Sequence, residues 1–187
     1  MPVRCVITGQ GNDGKSVFVR DSAVEPITLA LLPGYEFFRL WGRDGVPALP
    51  EDGRSPVPRP YFPTQGGFRF GLFCVPPLTR PPEPGEVLSA LGELQQKLPG
   101  MAEVLELANP GMHTTDTVDF DVVLSGEVFL ELDDGAEVHL GPGDCVVQNG
   151  TRHRWVNRSP HPCLLAVCLI GATRSPGRVK SAVREPA

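Results

Sequence analysis

Two segments carry the residues whose types and spacing can do chemistry. One runs from Gly111 to Glu127, GMHTTDTVDFDVVLSGE, and the other from Gly143 to Asn157, GDCVVQNGTRHRWVN. In an extended strand successive side chains alternate faces. His113, Thr115, Asp119 and Asp121 therefore share a parity and point one way, and His153 and Trp155 share a face on the second segment. Two neutral imidazoles and one carboxylate meeting from different strands form a ligand face with open positions for substrate or oxygen. His113, Asp119 and His153 are the expected metal ligands, and Asp121 supplies the carboxylate instead if the register differs by one pair. With no thiolate placed nearby, the expected cofactor is a divalent Fe, Mn, Ni or Zn ion, a Lewis acid for a carbonyl or enolate oxygen or an oxygen-binding centre. Thr115 offers only a hydroxyl. Gln148 reads as an extra ligand, a substrate hydrogen-bond donor or a structural amide. Trp155 and Phe129 are expected either as apolar walls of a ligand pocket or as core. His139, on a hairpin, and His161, between prolines, are expected at the surface.

Strands must position these groups. EVFLELDDGAEVHL is an alternating hairpin turning at Asp134-Gly135, and Pro162 to Gly171 is an apolar final strand. Phe120, Val122 and Leu124 fall opposite Asp119, so the outer face of that strand calls for a cover. Either the N-terminal arm or a second subunit can provide it, and a homodimer is expected. Upstream, Val3 to Thr8 and Val17 to Asp21 pair across a Gly-Asn-Asp-Gly turn. Gly9, Gly14, Lys15 and Ser16 match a phosphate-loop spacing, but Val-Phe-Val follows where a helix N-terminus is required, which favours a hairpin. Short strands are expected in Ile27 to Gly34 and Glu36 to Trp41. A Pro-rich arm then runs from Val46 to Gly67, and Phe68 to Pro77 returns to strand character. Val87, Leu88, Leu91, Leu94 and Leu98 recur at helical spacing, predicting one short helix over 86–98 that packs on the strands.

The two segments resemble the motifs of the cupin superfamily over about residues 111–171. His113, Thr115, Asp119 and Gly126 keep the spacing of the first motif, with Thr in place of its second His and Asp in place of its Glu. Gly143, Gly150, His153 and Asn157 match the second, with Gln148 replacing Pro and one residue fewer after Gly143. The resemblance implies an all-β, antiparallel jelly-roll barrel. Residues 68–172, with the helix, would form it. Residues 1–67 would be strands and a Pro-rich arm laid upon it, and 173–187 a flexible tail. It also implies a metal-dependent enzyme acting on a small carbonyl- or enol-bearing organic acid or aromatic compound, of dioxygenase, decarboxylase, isomerase or cyclase type. The alternative is a non-catalytic small-ligand binder that has lost its metal.

Composition bounds the rest. The 187 residues are 41% hydrophobic and 21% charged, the profile of a globular chain with a real core. A net charge of −5 without a basic stripe argues against a nucleic-acid partner. Five cysteines without a Cys-x-x-Cys pair read as small hydrophobes in a reducing compartment, and no run approaches a membrane span. The expected partner is a small molecule and the expected location cytoplasmic.

Overall fold

The computed structural model describes residues 3–30, 32–78, 84–106 and 108–175, with the backbone alone at 84 and 86–89. In chain order its elements are β1 (Val3–Gln10), β2 (Ser16–Val24), β3 (Ile27–Leu29), β4 (Leu32–Arg43), β5 (Phe68–Val75), α1 (Pro84–Lys97), β6 (Thr117–Ser125), β7 (Val128–Glu131), β8 (Glu137–Leu140), β9 (Cys145–Asn149), β10 (Arg154–Val156) and β11 (Cys163–Gly171). Period-two alternation explains most of them. On β6 Thr117, Asp119, Asp121 and Val123 are buried while Phe120 and Leu124 stand out on the other face.

All strand pairs are antiparallel. A six-stranded sheet in the order β3-β4-β5-β11-β6-β9 is joined by a three-stranded sheet, β10-β7-β8, and by the β1-β2 hairpin. Val75, Val123, Leu165, Val128, Leu130 and Leu140 form one buried cluster drawn from both larger sheets. The result is the expected antiparallel jelly-roll barrel with one helix. Two motif residues serve its construction. Gly126 turns β6 into β7 with φ 75°, and a Cβ there would lie 2.4 Å from the Pro162 carbonyl oxygen, so a side chain does not fit. Asn157, 1% exposed, donates to the carbonyls of Val75 (3.0 Å) and His161 (2.7 Å) and accepts from Ser159, locking the end of β10 to β5.

Residue 67 is not a break in the sheet, because β3 and β4 are hydrogen-bonded into it beside β5. Only β1 and β2 lie on it as a separate layer. Val3 packs with Phe38 and Leu40 on the outer face, and Gly9 to Ser16 is the closed end of the β1-β2 hairpin, with Gln10 paired to Ser16. The Pro-rich arm is largely exposed, with Val46 and Leu49 at 82% and 87%, and turns inward at Tyr61 and Phe62. Its prolines lack N–H groups and so interrupt any strand ladder, which leaves its carbonyls to find donors elsewhere. Two arginines serve them instead. Arg39 donates to Pro58, to Arg59 (2.9 Å) and to Pro60 (2.9 Å). Arg69, 5% exposed, donates to Pro60 (3.1 Å), Phe62 (3.3 Å), Arg43 (2.9 Å) and Phe68 (3.0 Å) and to the Asp44 carboxylate (2.6 Å). From above, the Tyr61 N–H reaches the Pro99 carbonyl (2.8 Å), just past α1.

The helix forms where leucine spacing predicts it. Leu94 and Leu98, 2% and 0% exposed, pack with Leu29, Phe37 and Met101, each burial worth about 1.5–3 kcal/mol. The side chains of Val87 and Leu88 lie outside the described residues. So do residues 176–187 of the expected tail, before which Arg174 is tied to Asp116 (2.5 Å) and the Thr115 carbonyl (2.6 Å). Among the described residues no helix is long and apolar enough to cross a membrane.

Candidate functional site

His113 and His153 exchange both backbone hydrogen bonds, each 3.0 Å, which places their side chains directly opposite each other. Their ring centroids lie 4.2 Å apart, and Trp155 meets His153 edge-on at 6.0 Å. Each Nδ1 faces a backbone carbonyl, that of Gly111 at 3.0 Å and that of Thr151 at 2.9 Å. A carbonyl only accepts, so each Nδ1 carries the proton of the neutral ring and each Nε2 keeps a bare lone pair. Burial holds both rings neutral. It lowers the pKa of His113, and it lowers that of His153 to about 4 with help from the neighbouring His113.

The carboxyls come from β6, whose register sets them in adjacent inward rows. Asp119 lies between Gln148 and Leu169, and Asp121 between Val146 and Val167. They are 5% and 4% exposed. Burial raises Asp119 to about 6, against a small opposing effect of a hydrogen bond from Thr117. Burial and then the charge of Asp119 raise Asp121 to about 7. One Asp119 oxygen, Oδ1, has no partner.

Both groups line a cavity of about 510 Å³, bounded otherwise mainly by apolar side chains of β4, β5, β11, the arm and the segment after α1. His113, Thr115, Asp119, Asp121, His153 and Trp155 all reach it, as parity predicts. Two expected residues do not. Phe129 points to the other side of β7, against His139 (4.8 Å) and beneath Arg158 (4.4 Å), because Val128 and Leu130 take the inward parity. Gln148 is buried opposite Asp119, accepts from Thr151 at 2.5 Å and leaves its Nε2 unpartnered, but it is not part of the lining. The Thr115 hydroxyl is spent on Thr117 (2.8 Å).

Tyr61 was not anticipated. The arm delivers it to the cavity, edge-on to Phe37 (5.8 Å) and Phe62 (5.1 Å). Burial, then the fields of Asp119 and Asp121, push its phenol pKa up, and the nearby Arg39 partly opposes this. An aromatic pair flanked by prolines, Pro60-Tyr61-Phe62-Pro63, was the signal available in the sequence.

The donor types match an imidazole–carboxylate metal face, but the spacing does not assemble one. Among the described residues no three His, Cys, Asp or Glu side chains come close enough together to hold an ion. The imidazoles pair with each other, and Asp119 stays with its own strand neighbours. As arranged, the two imidazoles stand together and no third such group joins them among the described residues.

An antiparallel barrel holding a largely apolar cavity, with imidazoles and carboxyls facing into it, defines the class. Residues 106–170, about a third of the chain, match the family model described as "Cupin domain". The chain is similar to Phomopsin biosynthesis cluster protein C' of Diaporthe leptostromiformis, 52% identical over 48 residues, or 26% of this chain and 25% of that protein. It is also similar to the cupin-domain-containing oxidoreductase fogC of Aspergillus ruber, 39% identical over 46 residues, or 25% and 23% of the two chains. The match thus spans about a quarter of the length of these curated relatives. A solved Cupin 2 conserved barrel domain protein from Salinispora arenicola is similar at 17% identity, covering 82% of this chain and 92% of that one, with a TM-score of 0.43.

Proposed function

We propose that the protein is a proton-transfer enzyme, of isomerase, cyclase or decarboxylase type, acting on a small aromatic or enol-bearing compound. The observation that carries this reading is the placement of two carboxyls and two neutral imidazoles on the wall of one apolar cavity. Between about pH 6 and 7 one carboxyl is ionised while the other holds its proton, so a base and an acid coexist near the working pH. Asp119 would take a proton from the substrate and Asp121 would return one at a second atom. The pair then re-equilibrates its remaining proton with solvent or product. The bare Nε2 atoms would accept hydrogen bonds from the substrate and orient it.

A metal-assisted version is a second reading, favoured by the two bare Nε2 atoms and the unpartnered Asp119 Oδ1. Anchoring of Nδ1 on a carbonyl is how ligating histidines are commonly oriented. Such an ion would supply Lewis-acid or oxygen chemistry, and Asp119 would have to swing toward the imidazoles to hold it.

One experiment separates these readings. Protein purified without a histidine tag is incubated in D₂O with a panel of phenolic and enolisable compounds, and deuterium at carbon is followed by NMR. Exchange that survives chelation and drops at least a hundredfold in Asp119→Asn supports acid–base chemistry, that being the usual size of a general-base contribution. Exchange lost on chelation and restored by one of Fe, Mn, Ni or Zn supports the metal. Binding without exchange by any of the panel supports the non-catalytic ligand holder and removes the enzyme reading.

We also propose a homodimer across the outer face of the six-stranded sheet. Where the β1-β2 hairpin covers this face, Phe38 and Leu40 are 3% and 6% exposed. Further along, the uncharged row Phe70-Cys168-Phe120-Val147 is left open, with Phe70, Phe120 and Val147 at 43%, 46% and 55%. A second copy presents the same row to it, the self-matching patch that a twofold contact needs. Light scattering should give about twice the 20.2 kDa chain mass for the wild type and the single-chain mass for Phe120→Lys. A monomeric wild type refutes the dimer.

A further inference from the structure

The cavity is poor in cations, and this constrains what enters it. Among the described residues no Lys or Arg lines it. Four arginines surround it and each is already engaged. Arg39 and Arg69 share inward rows of the sheet with Asp121 and Asp119, yet both are spent on the arm's carbonyls and Arg69 on Asp44 as well. Arg152 at the rim is clamped by Glu106 (2.6 and 2.7 Å) and Asp133 (2.9 Å), and Arg154 by Glu131 (3.0 and 2.8 Å). Beside the hydroxyls of Tyr35 and Tyr61 and the indole N–H of Trp155, what the ionisable side chains of the cavity offer a polar ligand group is therefore acceptors: two bare Nε2 atoms, the free Oδ1 of Asp119, and Asp121. A carboxylate placed there would meet carboxyl groups and lone pairs, with no cation to replace its water.

Another stretch of the lining is aromatic. Tyr35, Phe73, Phe37, Tyr61 and Phe62 touch in sequence, with centroids 5.9, 5.0, 5.8 and 5.1 Å apart. Both tyrosines of the chain belong to this wall. A planar conjugated ring finds stacking and edge contacts along it.

We infer that the cavity selects planar aromatic ligands whose polar end donates hydrogen bonds, an amine or a hydroxyl, and rejects organic acids. This rests on the cavity being the functional site of the proposed enzyme, and it narrows that reading by removing the acid substrates and, with them, the decarboxylase type. The test is calorimetric titration of the protein as purified, at pH 7.5, with three indole probes: tryptamine, 5-hydroxyindole and indole-3-acetate. The first two should bind with Kd values at least tenfold below that of the third. The tryptamine advantage should vanish in Asp119→Asn/Asp121→Asn. Indole-3-acetate binding as tightly as tryptamine overturns the inference, and so does the absence of binding by all three at millimolar concentration. The comparison among probes is made on the wild type, so it does not depend on a variant folding. Because binding is read without turnover, a failure of deuterium exchange with the preference intact removes only the proton-transfer reading. Exchange on tightly bound acids removes only this one.

Discussion

Arg69→Met is expected to lower Tm by ~6–12 °C and to open residues 44–67 to limited proteolysis. Arg69 is the buried centre on which the arm is hung, with its guanidinium shared among four carbonyls and Asp44. Methionine keeps most of the volume and removes every donor. The carbonyls of Pro60 and Phe62 then lose their partner in a segment whose prolines offer no alternative ladder. Removing one partner of a buried, hydrogen-bonded ion pair costs about 3–5 kcal/mol. Asp44 is 38% exposed and regains water, so the lower end, about 3 kcal/mol, applies, or ~2–4 °C per kcal/mol for a chain of this size. Tyr61 leaves the cavity with the arm, so tryptamine binding should weaken in the same variant. Arg4→Met is the control. The Arg4–Asp21 pair is 71% and 48% exposed, and its loss should leave Tm unresolved from wild type. If Arg69→Met melts with the wild type and resists protease, the clasp is not what holds the arm.

Asp121→Asn is expected to stabilise the protein, and to do so more as pH rises. The folded Asp121 titrates at about 7 against an ordinary 3.8. From about pH 4 to 7 the folded state therefore holds a proton that the unfolded chain has released. Stability then falls as pH rises through that window. Asparagine removes the titration. The gain over wild type should be near zero around pH 3.5, grow through pH 4–7 and level off above it at about 2–4 kcal/mol, the larger figure being the full shift at 1.36 kcal/mol per unit. His153 acts with the opposite sign. Its folded value near 4 makes stability rise with pH between about 4 and 6.5, but this slope is common to both proteins and cancels in the difference. Urea titrations of the two proteins from pH 3.5 to 8.5 provide the check, and a gain that does not vary with pH would contradict the buried-carboxyl account.

Much of the site was legible in strand parity. Alternation placed His113, Thr115, Asp119 and Asp121 on one face, and all four line the cavity. The same rule, applied to Val128-Phe129-Leu130, points Phe129 away from the cavity. Parity does not say how far apart two inward side chains from different strands will stand. That distance depends on inter-strand register and barrel curvature. They set His113 against His153 and pair Asp119 with Gln148 and Leu169.

The sequence by itself determined the hairpins, the leucine-faced helix and the inward set of polar residues, because these follow from local periodicity and turn chemistry, while the barrel was implied by the resemblance of its two motifs. Only the tertiary structure decided which of those residues meet, that a proline-rich arm brings Tyr61 to them, and that the surrounding arginines are already bonded. Each of these is a contact between positions distant in the chain, and nothing in local spacing encodes which carbonyl a guanidinium will reach.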